Sequence, residues 1–534
     1  MLELYEHQKE AFEKFKDEND IALFLEQGCG KSAITLKIAE YKFNKKEIEQ
    51  LLVIAPNDVH RQWAVEQAPL WLSCKKEVEC YGGRGGVQKF YDPDEPDTLG
   101  MVCVNIDTFS TANKWQPVVD WANAKKTMIV LDEATSIKNV NSKRTQNVLC
   151  MFNDIVHRGR VMVSSCKKPS TQVRCVLTGT PVTNGPMDLW SIMEFVHPNF
   201  FGDNWWSFRQ KYGMFTKMSV ANSNGVFRDV PILLNENTWH GIKSCSNYAM
   251  AYNVFGCTED TYFTVQSQAK YMGPYKHADV LKGMLDRVAV FKKLTDCLDM
   301  PEQNFIIRKL VMSSEQEKAY REMKETQMTL YKDHMATAMN KLTMATRLAQ
   351  ISSGFIRDKN FVEKEDSSEL DEEAKDLSPD EVVWLGGSNP KLEALVRDVD
   401  ESDKPIIILT RYSAESAKIY DMLKNDYSCM LYTGWKKIGT IEDFKQGKYE
   451  VMIANIACIA RGFNLQISHT ILYYSNSFSM ELREQSQSRI FRSGQKNICK
   501  YVDYCYSGTV DEQIIEVLRN KKSMLDYFRN EEVR

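Results

Sequence analysis

The chain has 534 residues, of which 43% are hydrophobic and 26% charged, and its formal net charge is −4 at pH 7. This length exceeds what one hydrophobic core supports, and a prior of one domain per ~150 residues predicts three or four structural units. No apolar run approaches the ~18 residues of a membrane span, and the first residues lack a secretory signal. The cysteines include no repeated C-x-x-C pair, which favours a reducing compartment. We therefore expect a cytoplasmic protein with no membrane partner.

Four short apolar runs in the N-terminal third predict the strands of a parallel sheet covered by helices. They are Ile21–Leu25, Leu51–Ile54, Met128–Leu131 and Cys175–Leu177. A polar or glycine-containing loop follows each run, and ligands of open α/β sheets collect at the carboxyl ends of the strands. A single nucleotide site could therefore use all four loops.

The last third of the chain repeats this pattern, with a helix near Leu392 and further apolar runs. The predicted strands there are Ile406–Leu409, Val451–Ile453 and Ile471–Tyr474. Between the two regions, residues 190–300 are aromatic and irregular, residues 313–352 favour helix, and residues 363–381 have the polar composition of a mobile linker. The predicted fold class is α/β, with two parallel-sheet lobes and helical insertions.

The sequence EQGCGKS follows the first predicted strand and precedes a helical pattern, which is the context of a phosphate-binding loop. Lys31 would reach the phosphates of ATP, and the Ser32 hydroxyl would hold Mg²⁺. The nucleotide-binding residues predicted in this loop are Gly28, Cys29, Gly30, Lys31 and Ser32. Leu25 replaces the first glycine of the long G-x-x-x-x-G-K-[ST] form, so a glycine-rich turn is the alternative.

Two further loops carry groups that suit phosphate chemistry. Asp132 suits a Mg²⁺ ligand, and Glu133 suits a base that orients the attacking water. A helix N-cap cluster is the alternative for this pair. The loop Thr178, Gly179 and Thr180 could sense the terminal phosphate, although T-G-T-P is also an ordinary turn.

In the last third, QSQSRIFRSGQ places Arg489 and Arg492 three residues apart, on one face of a helix. Arginines that face a phosphate loop from a second lobe stabilise the charge of the transition state. A solvated basic helix face is the alternative if no second lobe exists.

These residues, in this order, resemble the superfamily-two helicases and, within them, the Swi/Snf-type DNA translocases. DEATSIKNVNSKRTQ, from Asp132 to Gln146, is similar to the family's DEAH-x-IKN stretch, with Thr135 in place of His. LTGTPVTNGPMDLWSIMEFVHPNFFG, from Leu177 to Gly202, is closer still to the family pattern. The resemblance spans nearly the whole chain and implies two RecA-like lobes with ATP hydrolysed at the cleft between them.

The resemblance also implies roles for particular residues. Gln8 would read adenine, Gly462 would contact ATP, and Gln485 would couple hydrolysis to movement together with Thr178, Gly179 and Thr180. The implied DNA contacts are Pro56, Thr108, Thr410, Arg411, Thr433 and Asn464. The implied domains are a first lobe (1–190), a helical protrusion with an insertion (191–300), an inter-lobe strand, helical region and acidic mobile loop (301–388), and a second lobe (389–534).

The function implied is an ATP- and Mg²⁺-dependent translocase on double-stranded or branched DNA that remodels branched DNA or displaces bound proteins. We expect a monomer, similar to the compact forms of phages and bacteria, and located in the host cytoplasm if it is viral. Ala460-Arg461-Gly462 is like the A-R-G of other superfamily-two helicases, so an RNA- or single-strand-directed helicase is the nearest alternative. A non-hydrolysing nucleic-acid clamp is a further alternative.

Overall fold

The chain forms two compact units, and the computed structural model describes most of its residues. The first unit comprises Met1–Cys297 with Asn520–Arg534, and the second comprises Leu298–Arg519. The described residues are 3–57, 59–81, 97–111, 114–150, 156–158, 161–163, 172–183, 185–202, 204–221, 227–234, 239, 242–255, 257–267, 275–331, 334–337, 341–357, 376–459 and 462–528. Ala460, Arg461 and most of the predicted acidic linker lie outside these ranges.

The first unit contains a seven-stranded sheet in which all neighbouring strands are parallel. In chain order its strands are β1 (Asp20–Leu25), β2 (Gln50–Ala55), β3 (Lys76–Tyr81), β4 (Leu99–Asn105), β5 (Thr127–Asp132), β8 (Val173–Leu177) and β11 (Ala289–Lys292), and their spatial order is β11-β1-β8-β5-β2-β4-β3. The four strands predicted from the sequence are the central ones, and nearly all their residues are buried. Burial on both faces explains their continuous apolar runs.

Helices cover this sheet. They are Glu6–Phe15, Lys31–Asn44, Val59–Gln62, Ala68–Trp71, Gln116–Ala124, Lys143–Cys150, Leu189–Val196, Trp205–Tyr212, Tyr248–Phe255, Glu259–Ser267, Ala278–Leu285 and Leu294–Cys297, with a π-helical turn at Trp63–Gln67 and short 3₁₀ turns at Ile106–Ser110, Ala134–Ile137 and Pro186–Asp188. Two antiparallel hairpins add β6 (Val156–Arg158) with β7 (Val161–Val163) and β9 (Phe215–Ala221) with β10 (Phe227–Leu233). The hairpin β9–β10 lies in the segment that was expected to be helical.

The second unit repeats the architecture with seven strands. They are β12 (Gln303–Leu310), β17 (Ile406–Thr410), β18 (Cys429–Tyr432), β19 (Lys437–Ile438), β20 (Val451–Asn455), β21 (Thr470–Tyr473) and β22 (Cys499–Tyr506), in the spatial order β12-β22-β21-β17-β20-β18-β19. Every pair is parallel except β18 with the edge strand β19. The predicted α/β class with two RecA-like parallel-sheet lobes is therefore confirmed.

The remaining elements of the second unit are helices and two small hairpins. The helices are Ser314–Thr326, Lys341–Ser353, Pro390–Glu401, Ser413–Leu423, Ile441–Lys445, Ile456–Ile459, Met480–Gln487 and Val510–Phe528, with a 3₁₀ turn at Pro379–Glu381. The hairpins pair β13 (Met328–Tyr331) with β14 (His334–Thr337) and β15 (Phe355–Arg357) with β16 (Val382–Trp384). In the part of the chain that the structure describes, no helix combines the length and apolar character needed to cross a membrane.

Candidate nucleotide-binding site

The loop after β1 has the backbone shape of a phosphate cradle. Gly28 and Gly30 have φ angles of +93° and +81°, a region that residues with side chains rarely adopt. Gly30 is also the N-cap of the helix Lys31–Asn44, whose free N–H groups and positive dipole end favour an anion. A Cβ atom on Gly30 would lie 2.1 Å from Nε2 of Gln8 and would displace that amide, and the φ angle of +81° disfavours any residue other than glycine.

Lys31 is the half-buried cation of this loop. Its Nζ donates hydrogen bonds to the carbonyl oxygens of Leu25 at 2.8 Å and Glu26 at 3.4 Å. The ammonium group therefore lies across the loop, held by backbone oxygens that a phosphate can replace as its partner. Ser32 follows in the first turn of the same helix, with its hydroxyl at the same end of the sheet.

The N-terminal helix Glu6–Phe15 is tied to the loop through the carbonyl oxygen of Cys29. Nε2 of Gln8 donates to this oxygen at 3.2 Å, and Nε2 of His7 lies 3.0 Å from it. Oε1 of Gln8 accepts a hydrogen bond from the backbone N–H of Tyr5 at 3.0 Å. Gln8 thus contacts the phosphate loop, and its reading of adenine stays a prediction. His7 is a second contact that the sequence analysis did not identify.

Asp132 and Glu133 lie at the end of β5, beside the phosphate loop. Asp132 is buried, and its oxygens accept hydrogen bonds from Nε1 of Trp63 at 2.8 Å and from the backbone N–H of Glu133 at 2.9 Å. Burial raises the pKa of Asp132, while the Trp63 hydrogen bond and the charge of Lys31 act in the opposite direction. The two hydrogen bonds therefore orient the Asp132 carboxylate, and the positive charge of Lys31 favours its ionised form.

Glu133 is half-buried and has a left-handed backbone conformation, with a φ angle of +50°. Its Oε1 accepts a hydrogen bond from Nε2 of Gln27, in the phosphate loop, at 3.4 Å. Backbone conformations of this kind cost free energy and are concentrated at functional sites. The bend after β5 therefore directs Glu133 to the loop, and Gln27 is a contact that only the fold reveals.

The loop after β8, which contains Thr178, Gly179 and Thr180, packs against the phosphate loop. Oγ1 of Thr178 accepts a hydrogen bond from the backbone N–H of Thr180 at 3.1 Å, which closes the turn around Gly179. A Cβ on Gly179 would lie 3.4 Å from the carbonyl oxygen of Leu25, so this loop packs directly on the start of the phosphate loop.

A lysine of the segment after Glu133 contacts the same loop. Nζ of Lys138 donates to Oγ1 of Thr183 at 3.0 Å, and Oδ2 of Asp188 accepts hydrogen bonds from both the backbone N–H and the hydroxyl of Thr183. The structure therefore brings the loops after β1, β5 and β8 together at one end of the first sheet.

The hydroxyl of Ser32 and the carboxylate of Asp132 are the hard oxygen ligands that Mg²⁺ prefers. Within the described ranges, no cluster of three or more His, Cys, Asp or Glu side chains could hold a metal by itself. Few protein ligands are expected for Mg²⁺ bound together with a nucleotide, since phosphate oxygens and water complete its coordination. The residues present therefore fit a nucleotide-bound Mg²⁺ rather than a dedicated metal site.

In the second unit, the prediction that Arg489 and Arg492 share a helix face is wrong, because both lie in the turns that follow the helix Met480–Gln487. They nevertheless converge on one carbonyl oxygen. Nη1 of Arg489 and Nη1 of Arg492 donate to the oxygen of Phe463 at 3.3 and 3.1 Å. Nε of Arg489 donates to the carbonyl oxygen of Gln485 at 3.0 Å. Burial lowers the pKa of Arg492. Phe463 lies between Gly462 and Asn464, so the two arginines, Gln485 and the segment from Gly462 to Asn464 form one cluster.

The residues predicted to contact DNA have mainly local hydrogen bonds. Oγ1 of Thr410 lies 2.6 Å from the hydroxyl of Ser416, and Oγ1 of Thr433 donates to the carbonyl oxygen of Lys436 at 2.9 Å. The backbone N–H of Arg411 donates to Ser475 at 2.8 Å. In the first unit, Pro56 follows β2 and Thr108 lies in the 3₁₀ turn Ile106–Ser110. Nucleic-acid contact by these residues stays a prediction.

The fold and the site are those of a two-lobed, helicase-type ATPase. The model of the SNF2-related domain matches residues 7–359, and that of the helicase conserved C-terminal domain matches residues 390–494. The chain belongs to the SNF2-related family. The predicted Swi/Snf-type identity and enzyme class are therefore confirmed, and the family uses ATP.

Several proteins are similar to this chain. The "Uncharacterized ATP-dependent helicase MG018" of Mycoplasma genitalium is 21% identical over 415 residues, which cover 76% of this chain and 31% of the relative. The "DNA repair and recombination protein RAD54-like" of Drosophila grimshawi is 19% identical over 499 residues, which cover 90% of this chain and 56% of the relative. The chain thus spans less than two thirds of the length of these curated relatives.

A solved structure described as "Sulfolobus solfataricus SWI2/SNF2 ATPase core in complex with dsDNA" is also similar. It is 17% identical, with a TM-score of 0.37, and the match covers 98% of this chain and 92% of that one.

Proposed function

We propose that this chain hydrolyses ATP with Mg²⁺ and uses the free energy to move along double-stranded DNA. The observation that carries the proposal is the placement of Lys31 after β1 and of the pair Asp132 and Glu133 at the end of β5, two strands that both pair with β8 in one sheet. ATP hydrolysis needs a cation that binds the phosphates and a carboxylate that activates water, both at the same end of the sheet. Either group without the other would support nucleotide binding only.

Each residue has a separate role in this proposal. Lys31 and the backbone N–H groups of the loop bind the phosphates, and Glu133 accepts a proton from the attacking water. Bound Mg²⁺, held by Ser32 and Asp132, would neutralise charge on the phosphates. Arg489 and Arg492 are the proposed cations for the charge that develops during transfer.

The family and its named members support DNA as the substrate along which the chain moves. The Drosophila relative is a DNA repair and recombination protein, and the motif from Leu177 to Gly202 is similar to that of Swi/Snf-type translocases. We propose remodelling of branched DNA or displacement of bound proteins as the task, carried out by a cytoplasmic monomer. Contacts to the phosphate backbone would make this movement independent of base sequence.

ATP hydrolysis measured with duplex, forked, four-way and single-stranded DNA and with RNA tests this proposal. Duplex or branched DNA should stimulate hydrolysis at least about tenfold, and a triplex-displacement assay on duplex DNA should report movement. Lys31→Ala should abolish both signals. Lys37→Ala, which removes an ion pair with Glu40 farther along the same helix, is the matched control and should retain them. Stimulation by RNA alone would establish an RNA-directed helicase instead, and full activity of Lys31→Ala would refute the assigned phosphate site.

A further inference from the structure

Two cysteines of the first unit meet at the phosphate loop. Cys29 lies in the loop itself, and Cys297 ends the short helix Leu294–Cys297 that follows β11. Both are free thiols in the structure. Most of the first unit's sequence lies between these two cysteines, so only the fold brings them together.

Backbone and side-chain contacts fix the segment after β11 against the loop. The backbone N–H of Glu26 donates to the carbonyl oxygen of Lys292 at 3.0 Å, and Oε2 of Glu26 accepts from the backbone N–H of Leu294 at 2.9 Å. A Cβ on Gly28 would lie 3.4 Å from the side chain of Leu294. The approach of Cys297 to Cys29 therefore follows from a well-defined packing interface.

A hydrogen bond joins the side chains of Cys29 and Cys297. This bond raises the pKa of Cys29, which is also fully buried, and it lowers the pKa of Cys297, as does the charge of Lys292. Cys297 is half-exposed, so oxidants in solution can reach it. A reactive, accessible thiol next to a buried partner is the arrangement of redox-sensitive cysteine pairs.

We propose that Cys29 and Cys297 form a reversible disulfide that locks the phosphate loop and prevents nucleotide binding. The regulatory part of this inference rests on the function proposed above. The pairing of the thiols does not, because it depends only on the contacts within the first unit.

The reaction is balanced with hydrogen peroxide as the oxidant. The Cys297 thiolate attacks the peroxide, takes one oxygen as a sulfenic acid and, with one proton, releases one water. The Cys29 thiol then attacks the Cys297 sulfur, and the S–S bond forms as the sulfenic oxygen leaves with the thiol proton as a second water. Thiol reductants reverse the reaction by exchange through a mixed disulfide.

Such a bond would restrict the residues that must adapt to phosphate. Cys29 lies between Gly28 and Gly30, whose φ angles are both positive, and its carbonyl oxygen is already held by His7 and Gln8. A covalent link on the Cys29 side chain removes the remaining freedom of this turn. Because the effects of two linked equilibria are reciprocal, bound nucleotide should in turn disfavour the disulfide at equilibrium.

The experiment uses the full chain, reduced or treated with hydrogen peroxide, with and without ADP and Mg²⁺. Mass spectrometry should find the Cys29–Cys297 linked peptide after oxidation, with a smaller linked fraction at equilibrium when ADP is present. Binding of a fluorescent N-methylanthraniloyl derivative of ADP should fall at least about tenfold on oxidation and recover with dithiothreitol.

Cys297→Ser should bind the fluorescent nucleotide normally and be insensitive to peroxide. Cys74→Ser, which removes another half-exposed thiol of the same unit, is the matched control and should respond as the wild type does. Absence of the linked peptide from oxidised wild type, or equal loss of binding in Cys297→Ser, overturns the proposal. Formation of the linked peptide in a chain that binds no nucleotide even when reduced overturns the regulatory role through failure of the proposed function.

Discussion

Glu133 combines a carboxylate at the end of β5 with a backbone conformation that few non-glycine residues adopt. The local cost is of order 1–3 kcal/mol and is met by the packing of the surrounding strands. Since the bend directs the side chain to Gln27 in the phosphate loop, a change at Glu133 should affect the reaction more than the fold.

Replacing Glu133 with Gln tests this role. The amide keeps the size of the side chain but cannot accept a proton, so ATP should bind normally while hydrolysis falls by at least about 100-fold. Single-turnover hydrolysis and nucleotide binding are the two measurements. Glu47→Gln, at an exposed residue paired with Lys42, is the control and should turn over ATP normally. Normal turnover by Glu133→Gln would show that another group activates the water.

Gly30 gives a second prediction at the level of one residue. Gly30→Ala places a methyl group 2.1 Å from Nε2 of Gln8 in a backbone region unfavourable to alanine, so the loop must change shape and nucleotide binding should be lost. Gly283→Ala is the matched control because a Cβ there meets no atom within 4 Å, and its helical position should make it neutral or stabilising by about 0.5–1 kcal/mol. Equal nucleotide affinity of the two variants would contradict the steric argument.

The sequence predicted the charged residues of the site better than their supports. Lys31, Asp132 and Glu133 were identifiable because each follows an apolar strand. Trp63 and Gln27, which hold the two carboxylates, were not assigned these contacts, because nothing in the sequence near them indicates which carboxylate they reach. Such contacts depend on strand order, which local sequence does not specify.

Among the helices of the second unit, Met480–Gln487 is anchored by a buried ion pair. Arg483 donates to both oxygens of Asp503 on β22, at 2.6 and 2.9 Å, and its guanidinium lies 3.5 Å from the ring centre of Tyr473. This helix contains Gln485 and leads directly to Arg489. The anchor therefore positions the predicted coupling residue and the first arginine.

Arg483→Ala should destabilise the second unit by about 3–5 kcal/mol, because Asp503 would be left as a buried charge without its partner. Urea denaturation followed by intrinsic fluorescence measures this change. Lys445→Ala is the control, since it removes an exposed pair with Glu442 and should cost less than about 0.5 kcal/mol. If Arg483→Ala lowers the free energy of unfolding no more than the control does, the ion pair of Arg483 with Asp503 is not effectively buried.

In the first sheet, four of the five strands between the two edge strands were predicted and neither edge strand was; β4 (LGMVCVN), which is fully buried, is the interior strand that was missed. β1, β2, β5 and β8 are continuous apolar runs, whereas β3 (KEVECY) alternates polar and apolar residues and β19 has only two residues. β11 joins the first sheet next to β1 although more than 100 residues separate it from β8, and no local pattern predicts such a pairing. The hairpin β9–β10 was missed for a related reason, since its aromatic and β-branched residues lie in a segment without clear periodicity.

At the scale of the molecule, the order of the motifs was more informative than any single motif. The loop containing Lys31 lacks one expected glycine, but the segments after β5 and β8 have the family's sequence, and Lys138 joins them by its hydrogen bond to Thr183. These contacts concern the proposed nucleotide site alone, and the proposed binding of nucleic acid depends on surface charge.

Net charge makes a final prediction possible for the whole chain. A formal charge of −4 means that attraction to DNA must come from local clusters of Lys and Arg that neutralise backbone phosphates, not from the molecule's overall charge. Binding of that kind releases counterions and weakens steeply with salt.

Between about 50 and about 200 mM salt, the duplex DNA concentration for half-maximal ATPase stimulation should rise at least about tenfold. Hydrolysis without DNA, measured at the same salt concentrations, is the control and should change little, because salt screens the buried or half-buried charges of Lys31, Asp132 and Glu133 much less than exposed ones. A half-maximal DNA concentration independent of salt would mean that the chain does not hold DNA through its phosphates.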